Sequence, residues 1–229
     1  MKIKTVGLTK KFRIGSAEIV AVNSVDFEAN KPEFVAIVGP SGSGKSTFLN
    51  LIGLNDCPNS GKIFLDDTDV SLLSGGARRR IRLSRMGFVF QTFNLLPTLN
   101  ALENVELPMA IAGKSQKEQR ERAERLLEAV KLSKRASHRP KELSIGEMQR
   151  IAIARALAND PEIIIADEPT GELDSKTAKE IISLLFDIKR NRKTTVIVAT
   201  HDEKIVDVAH KIYMIQDGKL ALQKQNDSL

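Results

Sequence analysis

The chain is poor in the residues that staple, span or stack. Its 229 residues include one cysteine, Cys57, which excludes an intramolecular disulfide framework and suits a reducing compartment. The simplest reading of Cys57 is a small buried or half-buried thiol. No apolar run approaches the ~20 residues that a membrane-spanning helix needs. The opening residues, MKIKTVGLTKKF, lack the apolar core of a secretory signal; the expectation is a cytoplasmic protein. Tryptophan is absent, tyrosine is limited to Tyr213, and aromatics make up 4% of the chain. Base stacking on an aromatic ladder is therefore not expected, and neither is a direct nucleic-acid partner. Net charge is +6. The one dense basic cluster, Arg78, Arg79, Arg80, Arg82 and Arg85, reads first as a solvated face and second as a contact for an acidic partner or a membrane surface.

What is present is an alternating α/β pattern, with 41% hydrophobic residues to build a core. The first thirty residues alternate in polarity and predict two antiparallel strands turning at Ile14-Gly15-Ser16. Phe34–Val38 is continuously apolar, as a strand buried on both faces must be. A glycine-rich loop and the helical run KSTFLNLIGL follow. Further short apolar runs recur at Gly87–Phe90, Ile163–Ala166, Thr195–Ala199 and Lys211–Ile215. With G-x-x-x-x-G-K-[ST] in that glycine-rich loop, at Gly39–Ser46, the fold class expected is α/β, a P-loop NTPase core with a mostly parallel sheet and an N-terminal antiparallel β subdomain. From about Thr92 to Arg139 the strand signal disappears. Ser115 and Glu118 form a capping-box pattern, and Ala123, Leu126, Leu127 and Val130 share one helix face. Glu118–Arg122 and Glu121–Arg125 have the spacing of helix ion pairs. One domain is expected, its core at about 1–91 and 140–229 and an inserted α-helical subdomain at about 92–139. Asp217-Gly218 predicts a tight hairpin.

Two segments carry phosphate chemistry. Gly39-Pro-Ser-Gly-Ser-Gly-Lys45-Ser46-Thr47 matches G-x-x-x-x-G-K-[ST], between a buried strand and a helix. Gly39, Gly42 and Gly44 let the loop curl around phosphates, with Ser41, Ser43 and Thr47 beside them. Lys45 can reach the β- and γ-phosphates, and the Ser46 hydroxyl can ligate Mg²⁺. The apolar strand Ile163–Ala166 ends in Asp167 and Glu168. Alternation along a strand would send these two carboxylates to opposite sides. Asp167 would then hold Mg²⁺, and Glu168 would polarise the attacking water. No N-K-x-D guanine-reading motif occurs, which points to adenine.

A second helix start, Leu143-Ser144-Ile145-Gly146-Glu147, has the S-x-x-E capping pattern and on its own is a well-capped helix. In order along the chain stand GPSGSGKST, FVFQ ending in Gln91, LSIGE before MQRIAIARAL, IIIADEPTGELD, and ATHD with His201. With this set the chain resembles the ATP-binding subunits of ABC transporters, closest to the lipoprotein-release, macrolide-export and cell-division branch. The resemblance implies binding and hydrolysis of ATP with Mg²⁺. It also implies a head-to-tail sandwich of two copies, in which Ser144, Gly146 and Glu147 serve the partner's nucleotide. It further gives Gln91 a role in sensing Mg²⁺ and γ-phosphate. His201 would bond the γ-phosphate and orient Glu168 or the water. Phe12 would stack on adenine, unless it is a core residue, and Asp174 would lie at the dimer seam or simply cap its helix. His138 and His210 read as surface residues.

The resemblance implies an integral membrane permease as partner and a peripheral place on the cytoplasmic face. Phe93, Leu95, Leu96, Pro97 and Leu99 are either its docking residues or the small core of the helical insertion. Ile145 stands where the family has glycine, and Glu147 where it has glutamine. A β-branched residue resists positive φ, so a strained signature loop with slow hydrolysis or weak dimerisation is one expectation. Two other functions fit the same residues: a soluble ATPase of this type acting on nucleic acid or ribosomes, and a weakly hydrolysing regulator.

Overall fold

The computed structural model describes residues 1–30 and 32–226. Two sheets form its frame. The larger has strand order β10-β9-β3-β8-β7-β6, built from β3 (Phe34–Val38), β6 (Met86–Val89), β7 (Ile163–Asp167), β8 (Thr195–Ala199), β9 (Lys211–Gln216) and β10 (Lys219–Gln225). All neighbours are parallel except β10, which returns antiparallel on β9. The smaller sheet is antiparallel, in the order β2-β1-β4-β5. It joins β1 (Ile3–Ile14) and β2 (Ala17–Ala29) to β4 (Ser60–Leu65) and β5 (Thr68–Asp69). The antiparallel unit is therefore not confined to the first thirty residues. The apolar part of β4 is only Ile63–Leu65 and β5 has none; β4 becomes a strand by pairing with β1, and β5 by pairing with β4.

Alternation along the central strands divides the interior in two. Phe34, Ala36, Ile164, Ala166, Val196 and Val198 face one core. Val35, Ile37, Ile163, Ile165, Ile197 and Ala199 face the other. The first core packs against α3 (Ala101–Ile111), α4 (Gln116–Ala129), α5 (Ile145–Ala156) and α6 (Ser175–Arg192). The second encloses α1 (Lys45–Ile52) beneath the antiparallel sheet. There Phe48 is fully buried and meets Phe27 edge-on, with ring centroids 5.3 Å apart. Burying a side chain of this kind stabilises by roughly 1.5–3 kcal/mol. It pins the helix that follows the glycine loop. Two further helices complete the cores: α7 (Glu203–Asp207) buries Ile205 in the first, and α2 (Gly75–Arg85) packs Ile81 against the second.

Helices α3 and α4 stand between β6 and β7. Asn100 and Ser115 cap them, each in a full capping box with the glutamate three residues on. The two ion pairs expected along α4 are replaced. Glu118 is occupied by Ser115, while Arg122 reaches Asp160 and the carbonyl of Leu157. Glu121 lies 4.0 Å from Lys117. For Arg122 tertiary acceptors outcompete an exposed helix pair worth only ~0.3–0.5 kcal/mol, whereas Glu118 and Glu121 keep local partners.

The basic cluster also divides. Arg82 donates to Leu54 O, Arg85 pairs with Glu162 and Asp66, and Arg78 donates to Cys57 Sγ. Arg79 and Arg80 are exposed. Cys57 is itself exposed, because its short turn after α1 sits at the edge of the core. His210 is half-buried: its Nδ1 accepts from the Phe34 N–H at 3.3 Å, and Lys189 Nζ lies 2.6 Å from Nε2. It braces the start of β3. His138 is half-buried beside Arg135.

Asn104 was not singled out by pattern. It is fully buried on α3, accepts from Leu96 N and donates to the carbonyls of Leu96, Leu99 and Asn100. Replacing it by an apolar residue of similar size strands these backbone groups. Asn104→Leu is expected to lower unfolding free energy by about 2–3 kcal/mol in urea titration.

Candidate functional site

The carboxyl ends of the parallel strands β3, β7 and β8 carry the loops that form the site. In open α/β sheets ligands bind at this edge. The loop after β3 turns through Gly44, which has φ 107°; a Cβ there would lie 2.2 Å from Ala21 O. Neither the conformation nor the space admits a side chain. Gly44 also N-caps α1, with no side chain covering the first turn, so its amides stay available to an anion. The β9–β10 turn braces the loop from behind: Gly218 N–H donates to Ser43 O at 3.1 Å. That turn is Asp217-Gly218, with φ 50° and 74°, the backbone a two-residue hairpin turn demands.

A cleft of about 360 Å³ opens here, lined by Ser41, Gly42, Gly44, Lys45, Ser46, Thr47, Gln91, Glu168, His201 and Ala21. Lys45 is nearly buried and donates to the carbonyls of Gly39 (2.8 Å) and Pro40 (3.1 Å). Glu168 lies between two cationic or donor groups: Lys45 Nζ is 3.7 Å from Oε1, and His201 Nδ1 is 2.9 Å from Oε2. The divergence of Asp167 and Glu168 is not simple strand alternation. Asp167 ends β7, whereas Glu168 has left-handed φ 45° and turns out of the strand into the cleft. A non-glycine residue there costs ~1–2 kcal/mol. The Glu168 N–H is still held by Ala199 O at 2.9 Å.

Asp167 faces an adjoining cavity of about 80 Å³ with Leu49, Asn50 and Phe90. Its Oδ1 is buried and, among the described residues, has no hydrogen-bond partner; the same holds for the hydroxyl of Ser43. Buried polar groups without partners are unusual, and these two flank the phosphate loop and the end of β7. No cluster of three or more acidic, histidine or cysteine side chains gathers among the described residues. A single carboxylate oxygen left without a partner at the end of β7 instead fits the sparse protein oxygen set that Mg²⁺ takes alongside substrate phosphates.

Gln91 follows β6. Its Nε2 donates to Glu172 Oε1 at 3.1 Å, a partner that only the fold reveals. Phe93 and Asn94, just beyond, both have left-handed φ (60° and 49°). Leu95 packs on the helical core, while Leu96 and Pro97 are exposed.

The remaining candidates lie outside the cleft. Phe12 is on β1 opposite Ile19, 41% exposed, with Lys10 Nζ 5.2 Å over its ring; it is not a core residue. Ser144 N-caps α5 and accepts from Glu147 N at 3.2 Å, while Glu147 Oε2 accepts from Ser144 N at 2.9 Å. Ile145 is the first helical residue and has no positive φ. The strain expected of it is absent because a helix N-terminus accepts any L-residue. Gly146 is needed for proximity, since a Cβ would lie 2.6 Å from Thr177 Cγ2 on α6. Thr177 is fixed in turn by Asp174, whose carboxylate caps α6 through Lys176 N and Thr177 N.

The Glu147 carboxyl is held below its ordinary range, first by the Ser144 N–H and also by Arg135, 2.8 Å away. A carboxylate depressed in the folded state stabilises above its unfolded pKa, and that stabilisation is lost as pH falls through the folded value. Glu147→Gln is therefore expected to cost about 0.5–1 kcal/mol at pH 7. Denaturation titrations of the two proteins should converge as the medium is acidified below the ordinary glutamate range.

Comparison with known proteins points one way. The family model described as ABC transporter matches residues 22–171. The ATP-binding protein MJ0796 of Methanocaldococcus jannaschii is 43% identical over 227 residues, covering 97% of each chain. A lipoprotein-releasing system ATP-binding protein, LolD 2 of Caulobacter vibrioides, is 42% identical over 95% of this chain and 96% of its own. The macrolide export ATP-binding/permease protein MacB of Marinobacter nauticus is 45% identical over 95% of this chain, which spans 34% of that larger protein. Among solved structures, a dimeric post-hydrolysis state of MJ0796 bound to ADP and Pi superposes with a TM-score of 0.92. It is 42% identical, with 98% of this chain and 99% of that one covered.

Proposed function

The chain belongs to the ABC transporter family as an ATP-binding, ATP-hydrolysing subunit, and from that premise we propose that two copies pair head to tail around two ATP and drive a separate membrane permease. The observation that carries this reading is a division within one chain. Lys45, Gln91, Glu168 and His201 line one cleft, while the N-terminus of α5, with Ser144 and Gly146, opens outside it. Solved relatives with the same fold are dimers. A second copy placing its α5 over the cleft completes a phosphate site from both sides. Asp174, at the start of α6, sits at the seam, and Phe12 offers its exposed ring to adenine.

Within the cleft, Lys45 leaves the carbonyls of Gly39 and Pro40 for the β- and γ-phosphate oxygens, which also frees Glu168 from it. Glu168 then takes a proton from the water that attacks the γ-phosphorus as the bond to the bridging oxygen breaks. His201 holds Glu168 through Nδ1–H. In the neutral ring Nε2 is then an acceptor, so donation to the γ-phosphate from Nε2 belongs to the imidazolium. Ser46, Asp167 and Gln91 would hold Mg²⁺, which would supply neutralisation of the charge on the phosphate oxygens.

The permease partner meets a groove of about 410 Å³ lined by Leu83, Met86, Phe88, Phe90 and Ile111, with Arg79, Arg82 and Arg155 at its polar wall. Exposed Leu96 and Pro97 extend the loop after Gln91. Two relatives, LolD and MacB, are named for lipoprotein release and macrolide export, which favours a transport partner over nucleic acid or ribosomes. No helix among the described residues is long and apolar enough to cross a membrane; the subunit works as a peripheral protein on the cytoplasmic face.

Glu168→Gln is expected to lower kcat by roughly 10²–10⁴ while shifting the protein to a dimer in sedimentation runs with ATP. Wild-type turnover, or a monomer at saturating ATP, would contradict the proposal.

A further inference from the structure

Arg155 stands in the last turn of α5, at the opposite end from Ser144. Its Nη2 donates to Phe93 O at 2.7 Å, and its Nη1 donates to Asn94 O. These carbonyls belong to the second and third residues after Gln91, and both residues hold left-handed backbone. Such a conformation in non-glycine residues persists only where the surroundings impose it. A guanidinium holds its five N–H donors in a rigid fork, so its two terminal nitrogens suit a pair of adjacent carbonyls better than any other side chain. The contacts within this stretch are short-range: Phe93 N–H donates to Phe90 O, Asn94 N–H to Thr92 O and the Thr92 hydroxyl to Asn94 Oδ1, while Asn104 secures the chain from Leu96 onward. Gln91, at the other end of the stretch, lines the cleft beside Lys45, Glu168 and His201. Helix α5 has 12 residues, so it is a rod of about 18 Å. The Gln91 loop is fastened to one end of it, and the Ser144 and Gly146 amides stand at the other.

We propose that Arg155 is a positioning residue for ATP hydrolysis. By fixing the carbonyls of Phe93 and Asn94 to the end of α5, it sets where Gln91 sits in the cleft. It thereby ties that placement to the helix whose far end serves the second copy. This rests on the reading of Gln91 as a nucleotide-facing residue. Arg155 acts through Gln91 and touches no reacting atom. A misplaced Gln91 therefore slows turnover without loosening the phosphate loop's hold on ATP.

The test is a double-mutant cycle on the full chain, comparing wild type, Arg155→Met, Gln91→Ala and the double variant. Methionine keeps much of the bulk and removes the fork. Steady-state kcat and KM are measured beside equilibrium binding of a fluorescent ATP analogue. Arg155→Met is expected to lower kcat roughly 10- to 100-fold, with analogue affinity within about twofold. The double variant should be no slower than Gln91→Ala by more than about twofold, because both substitutions remove one function. Arg155→Lys, which reaches one carbonyl, should recover part of the loss. Wild-type kcat in Arg155→Met, or losses that multiply in the double variant, would overturn the proposal while leaving the role of Gln91 intact. Wild-type kcat in Gln91→Ala would instead overturn the reading of Gln91, and the role of Arg155 with it. If Arg155→Met does not fold, the cycle is run with Arg155→Lys and judged by the same multiplicative or non-multiplicative outcome.

Discussion

Unclaimed backbone N–H groups at a helix start are the constraint around which this molecule is arranged. A helix leaves its first amides without intrahelical partners, and burial near them demands an acceptor. At α1 the cap is Gly44 and no side chain supplies that acceptor. The loop, Lys45 and the helix dipole all converge on space suited to phosphate. At α5 the cap is Ser144 in a complete box with Glu147. The same physics thus yields a self-sufficient helix in one place and a ligand-dependent one in the other. That difference separates the helix start that lines the cleft from the one that stands outside it.

The parallel sheet converts this local chemistry into geometry. Because successive residues of β3, β7 and β8 face different cores, both faces are sealed, and only the strand ends remain for function. The sheet delivers Gly39, Asp167 and Thr200 to one edge by register, since β3 pairs with β8 and β8 with β7. Glu168 then leaves the strand path through an unfavourable backbone angle and enters the cleft between Lys45 and His201. Backbone strain at this residue is offset by the strongly buried strands around it, and it separates the buried carboxylate of Asp167 from the cleft-lining one of Glu168.

The cleft is also connected outward. The loop after Gln91 is gripped by Arg155 and Asn104, two side chains from helices that pack on the opposite core from α1. The cleft edge and the helical layer are thereby joined through hydrogen bonds to main-chain carbonyls, a link that depends on no particular side chain in the loop itself.

Local interactions made part of this protein readable from its residues alone. The strand–glycine loop–helix unit, the apolar runs of the parallel sheet, the capping boxes at Ser115 and Ser144 and the Asp217-Gly218 turn depend on neighbours a few positions apart, and pattern reveals them. Features set by distant partners were not readable. Strand β4 exists because β1 is beside it, Arg122 abandons its helix neighbour for Asp160, and His210 supports Phe34 across 176 positions. Gln91 finds Glu172, and Arg155 finds the Phe93 and Asn94 carbonyls, only once the chain has closed. Ile145 shows the converse: its side chain suggested strain, and the helix start around it removed the reason for any. Sequence determined which groups could bind phosphate, because that capacity resides in short segments. Tertiary structure decided which of those groups share a cleft, because their meeting depends on sheet register and on contacts between residues far apart in the chain.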